Sequence, residues 1–147
     1  MDNVSISKVS FLCLVELTMR GMNFIIYKMP VILYFCIIFI LSSMPHPPVP
    51  ARMNDKVLHL IEFLLLVLFL YRAFNNGLTN KLNKRDIYLS VLIALIYGAM
   101  DEVHQMFIYN RVASIYDYIA DCAGILIGYC MIIIYSYFLG GRRFEFV

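Results

Sequence analysis

The chain has 147 residues, of which 62% are hydrophobic and only 15% charged, with a net charge of +2. A soluble domain of this size has too little interior to hide that much apolar surface, so the composition points to an integral membrane protein in one compact unit. The small net charge, with no basic stripe carrying interleaved aromatics, argues against nucleic acid as a partner.

Residues 1–21 read as a leader. Phe11 to Met19 is apolar but short and is interrupted by Glu16, which argues against a crossing. Lys8 ahead of it gives a signal-like pattern, but no small-residue cleavage site follows. An interfacial helix or a disordered leader is expected, with Met22 as an alternative start. The remaining domain, 22–147, carries four apolar segments. Segment one runs from about Phe24 to Met44, with Lys28 near enough to its start to snorkel, and stops at Pro45-His46-Pro47-Pro48-Val49-Pro50. His46 in that loop reads as solvated. Segment two follows Asn54, a good N-cap, from Asp55 to about Phe74 and ends at Asn75-Asn76-Gly77. Segment three covers Asp86 to about Ile108. Segment four covers Ile115 to Leu139 and is closed by Gly140-Gly141 and Arg142-Arg143. At about 1.5 Å per residue each is long enough to cross roughly 30 Å of hydrocarbon. The fold class is therefore all-α, a bundle of four transmembrane helices. Cys13, Cys36, Cys122 and Cys130 fall within apolar runs and read as buried hydrophobes. With eleven Tyr and no Trp, tyrosine is the expected interfacial anchor.

Four spans put both termini on one side. That face collects Lys8, Arg20, Lys28, Arg72, Lys81, Lys84, Arg85, Arg142 and Arg143, leaving Arg52, Lys56 and Arg111 on the other. The positive-inside rule makes the first face cytoplasmic. Every unusual polar residue then falls at the outer ends of the helices. Asp55, His59 and Glu62 recur at i, i+4, i+7 on one stripe, with Lys56 beside them. Asp117, Asp121, Gly124 and Gly128 repeat that spacing on segment four, where the glycines permit close helix approach below the carboxylates. Between them, segment three ends in Asp101-Glu102-Val103-His104-Gln105, with Asp101, His104 and Gln105 as the inward set and Glu102 towards its edge. Glu62, Asp101 and Asp121 lie six or seven residues inside their helix ends, roughly 10 Å below the interface.

Each of these residues has a plain structural account. Ser114 with Asp117 fits a capping box, and Asp55 with Lys56 fits a helix-start dipole contact beside a snorkelling amine. Three carboxylates at one depth are harder to explain without protonation, pairing with Arg111 or Lys56, or a bridging cation. His59-x-x-Glu62 and Asp101-x-x-His104 each set a carboxylate one turn from an imidazole, a pairing that helical bundles use to hold metal. A divalent cation on His59, Glu62, Asp101 and His104 (zinc, manganese or magnesium) is one expectation.

In order along the chain these residues resemble those of the VanZ-like family of small bacterial membrane proteins. The likeness rests on S-S-x-P at Ser42 to Pro45, D-K-x-x-H-x-x-E-F at Asp55 to Phe63, and D-E-x-H-Q-x-F at Asp101 to Phe107. Arg111, Asp117, Asp121, Gly124 and Gly128 then follow at the family's spacing. It covers roughly residues 35 to 135. One departure is Tyr109-Asn110, where the family has Pro-Gly before the arginine; Asn suits a left-handed turn best after glycine. The resemblance implies a cell-envelope setting and a link to low-level resistance to the glycopeptide teicoplanin, without supplying a reaction. Two classes of function stay open. In the first, His59, Glu62, Asp101, Glu102, His104 and Asp121 act as the catalytic group of a metal-dependent hydrolase or transferase on a lipid-linked envelope precursor. Asp55, Lys56, Gln105, Arg111, Ser114 and Asp117 then hold the substrate. In the second, the same groups bind a headgroup, a precursor or the antibiotic without chemistry. Proton-coupled transport is disfavoured, because the inner halves of the helices offer only apolar residues, Ser90 and tyrosines. The outward helix faces are apolar, suited to lipid or to a second copy.

Overall fold

The structure, a computed structural model, describes residues 3–45, 54–77 and 82–139, with side chains from Leu12 to Phe138. His46 and the rest of the proline run, Arg52, Lys81 and the Gly140–Arg143 stop lie outside the described residues. Among those described, the secondary structure is entirely helical. Helix α1 (Asn3–Asn23) passes through a π-helical turn (Phe24–Lys28) into α2 (Met29–Ser42), and α3 (Asp55–Phe74), α4 (Lys84–Gln105) and α5 (Ile115–Leu139) follow. Four candidate membrane spans result, because α1, the π turn and α2 form one helical rod from Leu12 to Ser42.

That rod differs from the expected segment one. Helix backbone continues upstream of Phe24 without a break, and Glu16 is tolerated because Arg20, one turn later, donates to its carboxylate at 2.7 Å on an exposed face. The 31-residue span is about 46 Å long, some ten residues more than one crossing requires. The π turn has a covalent cause in Pro30. Proline has no N–H to give the carbonyl four residues earlier, that of Ile26, and its ring crowds that carbonyl. The Arg72 guanidinium on α3 takes over the freed carbonyl at 2.7 Å and lies over the Tyr27 ring, 5.2 Å from its centroid. A helix defect on one span is thus repaired by a cation from its neighbour.

The other boundaries follow local chemistry. Asn54 and Asn83 sit in extended backbone, and each side chain accepts the N–H two residues on, from Lys56 and Arg85. The third helix therefore starts at Lys84, two residues before the expected Asp86, and ends at Gln105, three before Ile108. Asn110 has φ 59, the left-handed conformation that its side chain makes accessible, so the turn before Arg111 survives the loss of Pro-Gly.

Helix α3 is the hub, packing on α2, α4 and above all α5. Its buried stripe of Phe63, Leu66, Val67 and Leu70 meets Ile38, Ala94 and Ile125. Hydrocarbon outside the bundle is as apolar as these side chains, so close fit rather than escape from water holds the helices together. The closest fit is at α5. A Cβ at Gly124 would collide with the carbonyl oxygen of Leu60, and one at Gly128 would meet Val67 Cγ1 and approach the Leu64 carbonyl oxygen to 3.1 Å. Tyrosine hydroxyls fasten the remaining contacts: Tyr34 donates to Glu62 O, Tyr97 to Phe35 O and Tyr118 to Leu95 O. These three act between helices, in addition to any role at the membrane surface.

Gly124→Ala is expected to force α3 and α5 apart and to cost about 1–3 kcal/mol, the usual penalty of overpacking. Gly21→Ala, whose Cβ would meet nothing within 4 Å, leaves stability unchanged. Unfolding of the two variants in detergent, followed by circular dichroism, checks the difference.

Candidate functional site

The seam between α3 and α5 brings their polar stripes into register. The His59 Nδ1–H donates to Asp121 Oδ1 at 3.0 Å, with both side chains almost wholly buried. One turn outward, Lys56 Nζ donates to Asp117 Oδ1 at 2.7 Å, with Tyr116 beneath the ammonium at 5.6 Å from its ring centroid. The two glycines further along α5 make this pairing possible, since larger residues there would hold the carboxylates out of reach. Gly98 on α4 does the same from the third side, because a Cβ there would stand 3.2 Å from Asp121 Oδ2.

Helix α4 arrives with its polar end turned differently from the expected inward set. Asp101 and Gln105 are buried and joined, Gln105 Nε2 donating to Asp101 Oδ2 at 3.0 Å. His104 faces α2 instead. It stacks on Phe39 at 4.9 Å, and its Nε2–H donates to Ser43 Oγ at 3.0 Å, whose own proton goes to Phe39 O. Glu102, placed by sequence at the edge, is buried, and its Oε2 accepts the backbone N–H of Ser114 at 2.9 Å. This replaces the expected capping box. The carboxylate at the start of α5 comes from α4, and Asp117 is engaged with Lys56.

Arg111 crosses the end of the bundle to close α2. Its Nε donates to Met44 O and one terminal nitrogen to Leu41 O, both at 3.1 Å, satisfying carbonyls that a helix C-terminus leaves open. The guanidinium is thus partly committed to structure, not simply free for an anion. It also lines a small hollow together with Leu41, Ser42, Asp55, Leu58, His59, Glu62, Asp101 and Gln105. The hollow measures about 10 Å³, room for roughly one water-sized occupant. Glu62 and Asp101 both line this hollow, and Asp121, which does not, is bonded to His59, which does.

The four residues expected to share a cation are therefore not the set brought together. Among the described residues, two other groups place one donor atom each within 4.8 Å of one another: Asp55, His59 and Asp117, and His59, Glu102 and Asp121. Sequence spacing missed Glu102 as a member, since a run of four polar residues in five covers more than half a helix's circumference. A second depression lies on the far side of α4, lined by Ala99, Glu102, Val103, Met106, Ala113, Ser114, Ile115 and Tyr118. It is an open groove of about 270 Å³ with almost wholly apolar walls.

Taken together, these features define a four-span helical membrane protein whose buried carboxylates and buried histidine, among the described residues, gather at one end of the bundle. The VanZ/LLP1 family model matches residues 13–136, nearly the full set of spans, and the chain belongs to that family. It is also similar to C11E3.10 of Schizosaccharomyces pombe, an uncharacterized protein, with 29% identity over 90 residues. That match covers 60% of this chain and 52% of the yeast protein, so the chain spans about half the length of this relative. A fungal relative means that the likeness extends beyond bacteria. No solved structure matches.

Removing His59 would leave Asp121 buried with no hydrogen-bond partner for either oxygen among the described residues. His59→Leu is expected to cost about 3 kcal/mol, the usual penalty of stranding a buried charge. The double variant His59→Leu/Asp121→Leu should recover much of that loss, giving a coupling energy that thermal unfolding of the four proteins measures directly.

Proposed function

We propose that the polar end of the bundle faces the extracytoplasmic side and binds, and there modifies, the head of a lipid-linked envelope precursor. The observation that carries this reading is the position of Glu102. One side chain belongs both to the buried polar cluster and to the apolar groove between the outer ends of α4 and α5. Lipid-linked precursors need that combination, with hydrocarbon walls for the chain and polar groups within reach of the head. Membership of the VanZ/LLP1 family supports an envelope role, and teicoplanin resistance is the phenotype that the family resemblance implies. The charge asymmetry of the termini and of the 75–85 loop supports the orientation. In this reading His59, Glu62, Asp101 and Asp121 form the reacting side, and Lys56 with Asp117 forms its rim.

A second reading, binding without chemistry, is favoured by one observation. The polar groups are largely satisfied by each other, and the hollow they share is small. A recognition surface can be self-satisfied at rest, whereas a reacting centre has to open one of these pairs to substrate.

Expression in a teicoplanin-sensitive bacterium separates the two. The intact chain is expected to raise the inhibitory concentration several-fold. Glu62→Gln and Asp101→Asn should abolish the rise at unchanged protein level if the cluster reacts, and should lower it by degrees if it only binds. Val103→Trp, which fills the groove, removes the rise in either case; full activity in that variant would exclude a lipid seated there.

Orientation is checked independently. A phosphatase fused at the C-terminus should be inactive and a fluorescent protein fused there should mature, and the opposite pattern would invert the whole assignment.

A further inference from the structure

We propose that His59, Glu102 and Asp121 hold a divalent transition-metal ion, zinc or manganese, where α3, α4 and α5 meet. The three side chains come from three different helices and are all buried, with Asp121 fully inaccessible. Their donor atoms lie within 4.8 Å of one another. Two carboxylates so close in a low-dielectric interior repel unless something positive or protonated stands between them. Lys56 is engaged with Asp117 and Arg111 with the carbonyls of Leu41 and Met44, and the one proton that His59 turns to this pair goes to Asp121 Oδ1.

A second observation points to an ion rather than to a hydrogen-bonded network. Glu102 Oε1 and Asp121 Oδ2 are both buried and have no hydrogen-bond partner among the described residues, although the other oxygen of each carboxylate has one. A buried carboxylate oxygen without a donor is costly, and a directly bound cation removes that cost. Gly98 lets α4 come close to Asp121 Oδ2 without a side chain against it, since a Cβ there would stand 3.2 Å away.

The geometry and the donor set narrow the choice of ion. His59 Nδ1 stands 3.0 Å from one oxygen of the Asp121 carboxylate, so an ion held by both oxygens of that group, the unpartnered Oδ2 included, lies beside the imidazole. On binding, the ion takes the Nδ1 lone pair and the ring keeps a single proton on Nε2; an imidazolium gives up its second proton to water. Glu102 has to close by an ångström or so, which a side-chain rotation supplies. One imidazole with two carboxylates suits zinc or manganese; calcium prefers an all-oxygen shell, and magnesium keeps most of its waters. Three protein ligands leave a position open, as catalytic metal sites require. The alternative trio of Asp55, His59 and Asp117 is the weaker candidate, because Asp55 is exposed and Asp117 is already neutralised by Lys56.

The site extends the lipid reading but is tested without any lipid substrate, so either can fail alone. The full chain is purified in detergent, stripped with chelator, incubated separately with zinc or manganese chloride, desalted, and its metal content measured by mass spectrometry. About one equivalent of one ion is expected to remain, and adding that ion should raise the midpoint of thermal unfolding by several degrees. Glu102→Gln and Asp121→Asn should each lower retention at least tenfold, while Glu16→Gln on the exposed face of α1 retains it in full. The wild-type midpoint shift does not depend on the variants folding. Retention below a tenth of an equivalent with both ions and no shift in midpoint overturns the site, as does undiminished retention in both carboxylate variants. Metal binding without any teicoplanin phenotype would overturn the lipid reading and leave the metal site standing.

Discussion

The backbone approach of α3 and α5 is the constraint on which the rest of this molecule depends. Gly124 lies against the Leu60 carbonyl and Gly128 against the Leu64 turn, so the two helices run closer than any side chain at those positions would allow. That approach sets His59 3.0 Å from Asp121 and Lys56 2.7 Å from Asp117. In a hydrocarbon solvent the order of cause matters. There is no apolar surface to be driven out of water, so glycine-mediated contact supplies the attraction and the polar pairs supply register. A slip of one residue along α5 would carry Asp121 about 100° around its axis and leave both it and His59 facing nothing useful.

The loops extend the same economy of polar groups. Two helix ends in the cluster have backbone groups taken up by side chains from elsewhere in the chain: Glu102 accepts the N–H of Ser114, and Arg111 of the α4–α5 connection donates to the carbonyls of Leu41 and Met44. The opposite end uses the same device, with Arg72 on the Ile26 carbonyl that Pro30 cannot serve. At the cluster end these bonds run through the α4–α5 connection, which Arg111 ties to α2 and Glu102 ties to α4; at the other end Arg72 joins α3 directly to the first span.

What the sequence made legible follows from periodicity. The spacing of Asp55, His59 and Glu62, and of Asp117, Asp121, Gly124 and Gly128, fixes one face on each helix, and both faces lie where that spacing puts them. The limits of the second and fourth segments were legible too, because Asn54, Asn75 and the run after Leu139 are strong punctuation. Three features were not legible, for separate reasons. Asp101 to Gln105 puts polar groups round most of a helix, so periodicity cannot say that His104 turns to Ser43 while Glu102 turns inward. The capping partner of Ser114 lies on another helix, and local motifs carry no information about contacts twelve residues away. The upstream extension of the first span was hidden by treating Glu16 alone, without Arg20 one turn later, and the π turn before Pro30 was not anticipated.

The distribution of burial bears on what kind of work this cluster can do. Going inward from Glu62 and Asp101, the packed interior is Phe63, Leu66, Val67, Leu70, Ala94 and Ile125, with Ile132 deeper on α5. Ser90 is buried at that level, but its hydroxyl is returned to its own helix at Asp86 O. Along this described interior the polar groups stop within two turns of the helix ends, and apolar side chains close the path. A carrier that alternates between two faces needs ionisable groups and irregular backbone near the midplane. Here the π turn, the one helix irregularity among the described residues, sits away from the cluster and is sealed by Arg72. On the proposed reading the site is approached from one leaflet, and Glu102, shared between the buried cluster and the lateral groove, is where such an approach would meet it.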